Sequence, residues 1–303
     1  MKILLTSDWH LRNTNPENRI DSFFETQLNK IGQIFQLADD NGCEYILQAG
    51  DFWNSSRPSF ETIEEVVYLF NQYKINRDNF ICVYGQHDLH FRTKERTALK
   101  LLEALKYVTI PVGCKILSDN VDLYTASWGA DIPIIKDKDN FNILLIHKTI
   151  LDKPTFPGQE DFLQSDKFFK QEFDVTCCGD FHHPVYYKNK NNQTVLGCGS
   201  IVRMTISEAD LVPHVYILEI KDDLSYSLEK IILDYKPAEK VFKPEALTRE
   251  VTKENQKMKE FIESIKNNSL SDGLDFKKNL DSMLLNIEKS VKDIILKELE
   301  NIK

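Results

Sequence analysis

Apolar runs that stop at a glycine or an aspartate recur along the first 180 residues of the chain. KILLTSD, CEYILQAGD and FICVYG are three of them. Between them the apolar period changes to that of a helix. Ile20, Phe23, Phe24, Ile31, Ile34, Phe35 and Ala38 fall at spacings of three, four and seven, and Asn41-Gly42 supplies a helix stop. Pro58-Ser59 opens SFETIEEVVYLFNQYK, a second amphipathic helix with Ser59 as N-cap and Glu61 in its first turn. A third helix is expected from Thr93 through TKERTALKLLEALK. Strands alternating with helices in this way predict an α/β fold with crossover connections.

From about residue 114 strands dominate. VDLYTASW, FNILLIH, DVTCCGD, PVYYKNK, QTVLGCGS, HVYILEI and YSLEKIIL read as strands, with turns at Asn191-Asn192 and Asp222-Asp223. One helix, near residues 159 to 172, interrupts the series. The expected architecture is two mixed sheets packed face to face with helices outside. It fills one domain over residues 1–235. Residues 236–246 follow as a linker, within the two-proline stretch DYKPAEKVFKPEA. Residues 247–303 form a charged helical region. That region carries one stripe at Phe261, Ile262 and Ile265 and a longer one from Leu280 to Leu299, broken at SLSDG.

Composition narrows the class. With 303 residues, 42% of them hydrophobic, the chain can bury a sizeable core. No apolar run approaches the roughly 20 residues that cross a bilayer. MKILLTSDWH turns polar too early for a signal peptide. The six cysteines form no CxxC pair and sit mostly in strand-like runs, as reduced core residues of a cytoplasmic protein would. A net charge of −9 argues against coating nucleic acid by bulk charge. It leaves a nuclease open, because a metal site adds positive charge that the formal count omits.

The chemistry lies where the strands end. Asp8 and His10 follow ILLTS, Asp51 follows YILQAG, and Gln86 and His87 follow ICVYG. His147 closes NILLIH, and Asp180 and His182 follow VTCCG. In open α/β sheets, ligands gather at the carboxyl ends of the strands, so these residues can meet although they span 175 positions. Imidazoles, carboxylates and one amide make a mixed nitrogen and oxygen donor set suited to manganese, iron, zinc or magnesium. Two such ions bridged by a carboxylate activate a water for phosphoryl displacement. A nearby histidine outside the ligand set can then protonate the leaving group. Each fragment also has an ordinary reading, as a capping aspartate, a turn or a core histidine. Order, spacing and strand-end placement together carry the signal.

The motifs DWH (8–10), GD (50–51), GQHD (85–88), IH (146–147) and GDFH (179–182) resemble the DxH, GD, GNH(D/E), H and GHxH series of the calcineurin-like metallophosphoesterase superfamily. The resemblance spans roughly residues 1 to 235 and implies that family's four-layer sandwich. GDFWNSSRPS (50–59) and GCGSIVRMTISE (197–208) resemble segments of its SbcD-type DNA repair exonuclease branch, which includes nuclease subunits of meiotic recombination complexes and phage-encoded versions.

Residue by residue, the resemblance implies two divalent metal ions. Manganese is preferred, with magnesium or iron as alternatives. Asp8, His10 and His182 would hold the first ion, Asp51 would bridge, and Gln86, His147 and Asp180 would hold the second. His87 would be the acid for the leaving oxygen, with Asp88 orienting it. Asn54, Arg57 and Arg203 would touch the substrate.

Gln86 and Asp180 depart from the family pattern, which has asparagine and histidine there. They imply either a harder, more anionic second site or a weakened one. The implied activity is metal-dependent DNA exonuclease and endonuclease action in repair or recombination. The implied partners are DNA, an SbcC-type ATPase and a second copy of the chain; no membrane is involved. Two alternatives stay open: a phosphodiesterase or phosphatase for nucleotides or small esters, and a scaffold subunit with a decayed second site. The Leu280–Leu299 stripe would dock on the ATPase or pack on its own domain, and residues 240 to 268 would be a reduced DNA-binding cap.

Overall fold

The computed structural model describes residues 1–155 and 159–249. The chain divides into two compact units, Met1–Lys243 and Pro244–Lys303. In the second unit residues 244–249 are helical. The expectations for the Leu280–Leu299 stripe and for most of the cap remnant lie outside the described residues.

The first half alternates as its pattern predicts: β1 (Lys2–Thr6), α1 (Phe23–Asp40), β2 (Tyr45–Gln48), α2 (Phe60–Gln72), β3 (Phe80–Cys82) and α3 (Ala98–Ala104). Next come β4 (Gly113–Ser118), β5 (Val121–Ala126), β6 (Phe141–His147), the two-residue strands β7 (Ile150–Leu151) and β8 (Leu163–Gln164), and α4 (Ser165–Phe168). The series ends with β9 (Val175–Gly179), β10 (Val185–Lys188), β11 (Thr194–Gly197), β12 (His214–Ile220) and β13 (Tyr226–Ile232).

Two large mixed sheets result, in the orders β13-β12-β1-β2-β3 and β10-β11-β9-β6-β5-β4. Strands β1, β2 and β3 are mutually parallel, as are β5, β6, β9 and β11; β12 and β13 join the first sheet, and β4 and β10 the second, by antiparallel pairing. Both faces of the central strands are buried, which is why they read as unbroken apolar runs.

The two-residue period sorts their side chains. Ile3, Leu5, Leu47, Ile81, Ile143 and Leu145 share one core between the sheets. Leu4, Ile46 and Phe80 point the other way, into a core with Phe35 of α1 and Phe70 of α2. Leu144 and Ile146 join Phe168 and Phe173 on the outer face of the second sheet. The fold is therefore mixed α/β, two sheets flanked by helices.

Local expectations fare unevenly. Ser59 caps α2, its hydroxyl accepting from Thr62 N–H at 3.2 Å. Asn41 closes α1, and Gly42 follows in the left-handed region at φ +65°. Ile20, counted into the first helical stripe, lies before the helix and is exposed. The third helix starts at Ala98 with Thr97 as its cap, because His90 and Thr93 close a turn on each other by reciprocal backbone hydrogen bonds. The helix expected over residues 159 to 172 shrinks to α4 and a 3-10 turn at Phe169–Gln171. Within the stretch read as a linker, Val241 and Phe242 are buried, and Ile20 N–H donates to the Val241 carbonyl.

Candidate metal and phosphoester site

The site is built at the carboxyl ends of β1, β2, β3, β6 and β9, all parallel strands. Past their ends the first two loops continue as a ladder. Asp8, His10 and Leu11 N–H donate to the carbonyls of Gly50, Asp51 and Phe52, and Asn54 N–H donates back to Leu11. Aromatic anchors fix this ladder from below. Trp9, between Asp8 and His10, is fully buried and packs on Phe52 at 4.9 Å and Phe80 at 5.7 Å. Its indole N–H donates to the Thr6 hydroxyl.

The backbone at the site is strained. Asp8, His10, Asp51 and Asp180 all have left-handed φ, at +48°, +47°, +50° and +83°. Such conformations persist where the surroundings over-determine them, and they cluster at functional sites. Two glycines allow the crowding. A Cβ at Gly50 would lie 2.3 Å from His147 Nδ1, and one at Gly85 would lie 2.1 Å from Asp51 Oδ1.

Donor atoms of Asp8, His10 and His182 lie within 4.8 Å of one another; so do those of Asp8, Asp51 and His147, and those of His10, Asp51 and His87. Asp51 is central. Its Oδ2 is 3.5 Å from His10 Nε2 and 3.4 Å from His147 Nε2, while Oδ1 accepts from His87 N–H at 2.9 Å. Asp8 Oδ2, His10 Nδ1 and Asp51 Oδ2 are buried with no hydrogen-bond partner. Unpartnered buried oxygens on Asp8 and Asp51, within a group of converging histidines and carboxylates, are what a bound cation satisfies, so these residues fit a metal.

The electrostatics agree. Burial pushes Asp8 up to about 6, against the pull of His147 and His182. Burial drives His10 down to about 3, against Asp51. Burial also opposes charge on Asp51 and His147, yet their close approach at 3.4 Å and mutual attraction prevail, taking Asp51 down to about 2 and His147 up to about 9.

Gln86, His147 and Asp180 meet on the other side of Asp51. Gln86 Nε2 donates to Asp180 Oδ1 at 2.8 Å, and Gln86 Oε1 is 2.7 Å from His147 Nε2. The two departures from the family pattern thus touch each other. His147 Nδ1 is turned to the Ala49 carbonyl, and Asp180 Oδ2 accepts from the Thr149 hydroxyl at 2.6 Å.

His87 is exposed beside the cluster, its ring 4.9 Å from that of His10. The residue that orients it is not Asp88. Asp88 is fully buried, and its carboxylate accepts the backbone N–H groups of Phe52, Trp53 and Gly85, binding the second and third loops together. His87 Nδ1 instead faces the backbone carbonyl of Asn54 at 3.2 Å.

Asn54 and Arg57 line a groove of about 170 Å³ with Arg12 and Asn13. Arg203 is not at the cluster. It is buried, donates to the carbonyls of Ala209 and Lys236, and lies over the Tyr235 ring at 5.5 Å. The arginine of GCGSIVRMTISE therefore clasps chain segments together, away from the residues that would hold the metals.

Three supporting residues escape the sequence reading. Glu208 accepts from His182 Nδ1–H at 2.8 Å, which turns His182 Nε2 toward His10 Nε2, 3.0 Å away. Gln27 of α1 is buried and donates to the carbonyls of Trp9 and His10. Its signal was a polar residue on the helix face that also holds Phe23, Ile31 and Ile34. Thr149 had no signal.

The sequence profile of the calcineurin-like phosphoesterase family matches residues 1–211. The chain belongs to that family. The family uses a dinuclear metal site, and candidate residues for one are present in this phosphoesterase-family chain. It is similar to the double-strand break repair protein MRE11 of Encephalitozoon cuniculi, at 23% identity over 277 residues covering 76% of this chain and 47% of that one. It is also similar to the DNA double-strand break repair protein Mre11 of Sulfolobus acidocaldarius, at 22% identity covering 60% and 50%. The chain spans about half the length of the curated relatives it matches.

Among solved structures, a dimetal phosphatase from Danio rerio has TM-score 0.48 at 8% identity, covering 78% of this chain and 99% of that one. The protein TT1561 of Thermus thermophilus has TM-score 0.46 at 13% identity, covering 76% and 97%. Among the described residues no helix is long and apolar enough to cross a membrane.

Proposed function

We propose that the chain is a metal-dependent DNA phosphodiesterase, an exonuclease with endonuclease activity, acting in repair or recombination beside an SbcC-type ATPase. The observation that carries the reading is the meeting of Asp8, His10, Asp51, His147 and His182 around unpartnered buried oxygens, with His87 exposed at the rim. The repair names of both curated relatives support the nuclease choice.

Asp8, His10 and His182 would hold one divalent ion and Gln86, His147 and Asp180 the other, with Asp51 between. Bound there, the ions would supply Lewis acidity and an ionised water. Manganese is preferred, because Asp180 adds a hard oxygen donor where the family pattern has an imidazole. His87 is the acid. With Nδ1–H donated to the Asn54 carbonyl, Nε2 would be the nitrogen that passes a proton to the departing oxygen. Arg57, in the groove beside Asn54, would receive a substrate phosphate.

A second reading rests on the Gln86–Asp180 hydrogen bond: a scaffold subunit whose second metal position has closed on itself. One assay separates the readings, with manganese and either linear DNA or a small chromogenic phosphodiester. DNA degradation that falls roughly 10²- to 10⁴-fold in His87→Ala, with metal content unchanged, supports the nuclease. Cleavage of the small ester alone replaces it with a small-ester phosphodiesterase. No cleavage of either leaves the scaffold. The ATPase assignment is tested by pull-down of a chain lacking residues 246–303; undiminished capture would remove that segment as the docking element.

A further inference from the structure

Helix α1, the turn after β11 and the segment after β13 line a cavity of about 330 Å³ that shares no lining residue with the strand-end cluster. Four basic residues line it beside Asp21 and Asp234, and three of them are almost wholly buried: Arg19, Lys30 and Arg203, at 5%, 5% and 4% exposure. Arg19 is paired with a carboxylate. Its guanidinium takes both oxygens of Asp21 at 2.8 Å, donates to the Arg203 carbonyl, and lies near the rings of Phe23 and Phe242.

The other two are not. Lys30 donates to one acceptor, the Asp234 backbone carbonyl, and Arg203 donates only to the carbonyls of Ala209 and Lys236. Neither makes an ion pair among the described residues, and both keep further N–H donors. A buried cation answered by carbonyls alone is a costly arrangement that a bound anion relieves. Burial first, then the charges of Arg203 and Arg19, pull Lys30 down to about 8, with Asp234 opposing.

We propose that this cavity takes the phosphoryl group of a mononucleotide-sized ligand, with Lys30 and Arg203 as donors and Tyr235 as a platform for the base. An ammonium and a planar guanidinium side by side suit an oxyanion with several acceptor oxygens. The volume is more than a free phosphate needs. Val202, Pro213 and Val241 give the remainder apolar walls. Tyr235 is 47% exposed and sits against the Arg203 guanidinium, so the phosphoryl donor and the stacking surface adjoin. The site would exist whether or not the strand-end cluster cleaves DNA.

The test is equilibrium dialysis of the whole 303-residue chain, in buffer containing manganese, against inorganic phosphate and against deoxyadenosine 5′-monophosphate. The parent is compared with Asp51→Asn, Lys30→Met and Tyr235→Ala. Asp51→Asn disables the strand-end cluster and should retain one bound nucleotide per chain. In that background Lys30→Met should weaken binding by about tenfold or more, and the nucleotide should bind tighter than phosphate by a margin that Tyr235→Ala removes. Tyr235 is half exposed, so its variant keeps the test open should Lys30→Met fail to fold. Absence of binding in Asp51→Asn, undiminished binding in a folded Lys30→Met, or equal binding of nucleotide and phosphate would overturn the proposal.

Discussion

Asp8, His10 and Asp51 each keep one buried polar atom without a hydrogen-bond partner, whereas Gln86, His147 and Asp180 meet one another. A cation would complete the first half. The second half is partly satisfied by the protein itself, and Thr149 adds a further donor to Asp180. Two changes that look independent in the sequence, glutamine for asparagine and aspartate for histidine, are one linked change in space. The longer amide reaches the shorter carboxylate. A cation entering the second position must compete with the Gln86–Asp180 hydrogen bond and its Thr149 support; one entering the first must part only the His10–His182 contact. The two positions should therefore differ in affinity while serving one reaction.

The comparison can be broken most severely at the shared residue. Asp51→Asn should remove both positions together, with phosphodiester cleavage falling by about 10³-fold or more and bound metal lost in parallel. Loss of only one ion would show that Asp51 does not bridge. Next, Glu208→Ala frees the His182 ring on the first side. Affinity at that position should drop roughly 10- to 100-fold, read by metal titration, with the weaker position unaffected. A smaller effect is expected at Asp88, which ties the loops of both halves through three backbone N–H groups. Asp88→Ala should lower unfolding free energy by roughly 1–3 kcal/mol in denaturant titration. A catalytic loss without destabilisation would restore Asp88 to the orienting role.

The smallest effect lies outside the site, at His214 of β12. This buried imidazole is held below its usual range by burial and by Lys230, against the Val212 carbonyl. The unfolded chain then binds the proton more readily. Stability from this group is full above pH about 6.5 and declines as pH falls below it. His214→Phe should flatten that slope in thermal melts across pH 5 to 7. An unchanged slope would assign the acid sensitivity elsewhere.

The sheet core was legible because both faces of β1, β2, β6 and β9 are buried, which writes unbroken apolar runs into the sequence. The meeting of the candidate residues was legible for a related reason: each stands at a carboxyl end of a parallel strand. What supports them was not. Asp88 follows His87 in sequence but points into the loops behind it. Glu208 lies 26 residues from His182 and reaches it only through the fold. Arg203 sits in a motif-like segment, yet its side chain faces chain carbonyls. Side-chain direction in loops is set by tertiary contacts that no local period records. The short α4 follows the same rule, because Phe168 and Phe173 cover the second sheet without a long helix.

Calorimetric titration of the metal-free chain with manganese tests the central claim most directly, in the parent and in Asp180→Ala. The account predicts two unequal binding steps in the parent and loss of the weaker step alone in the variant. No binding in the parent, two equal steps, or loss of both steps in Asp180→Ala would contradict it.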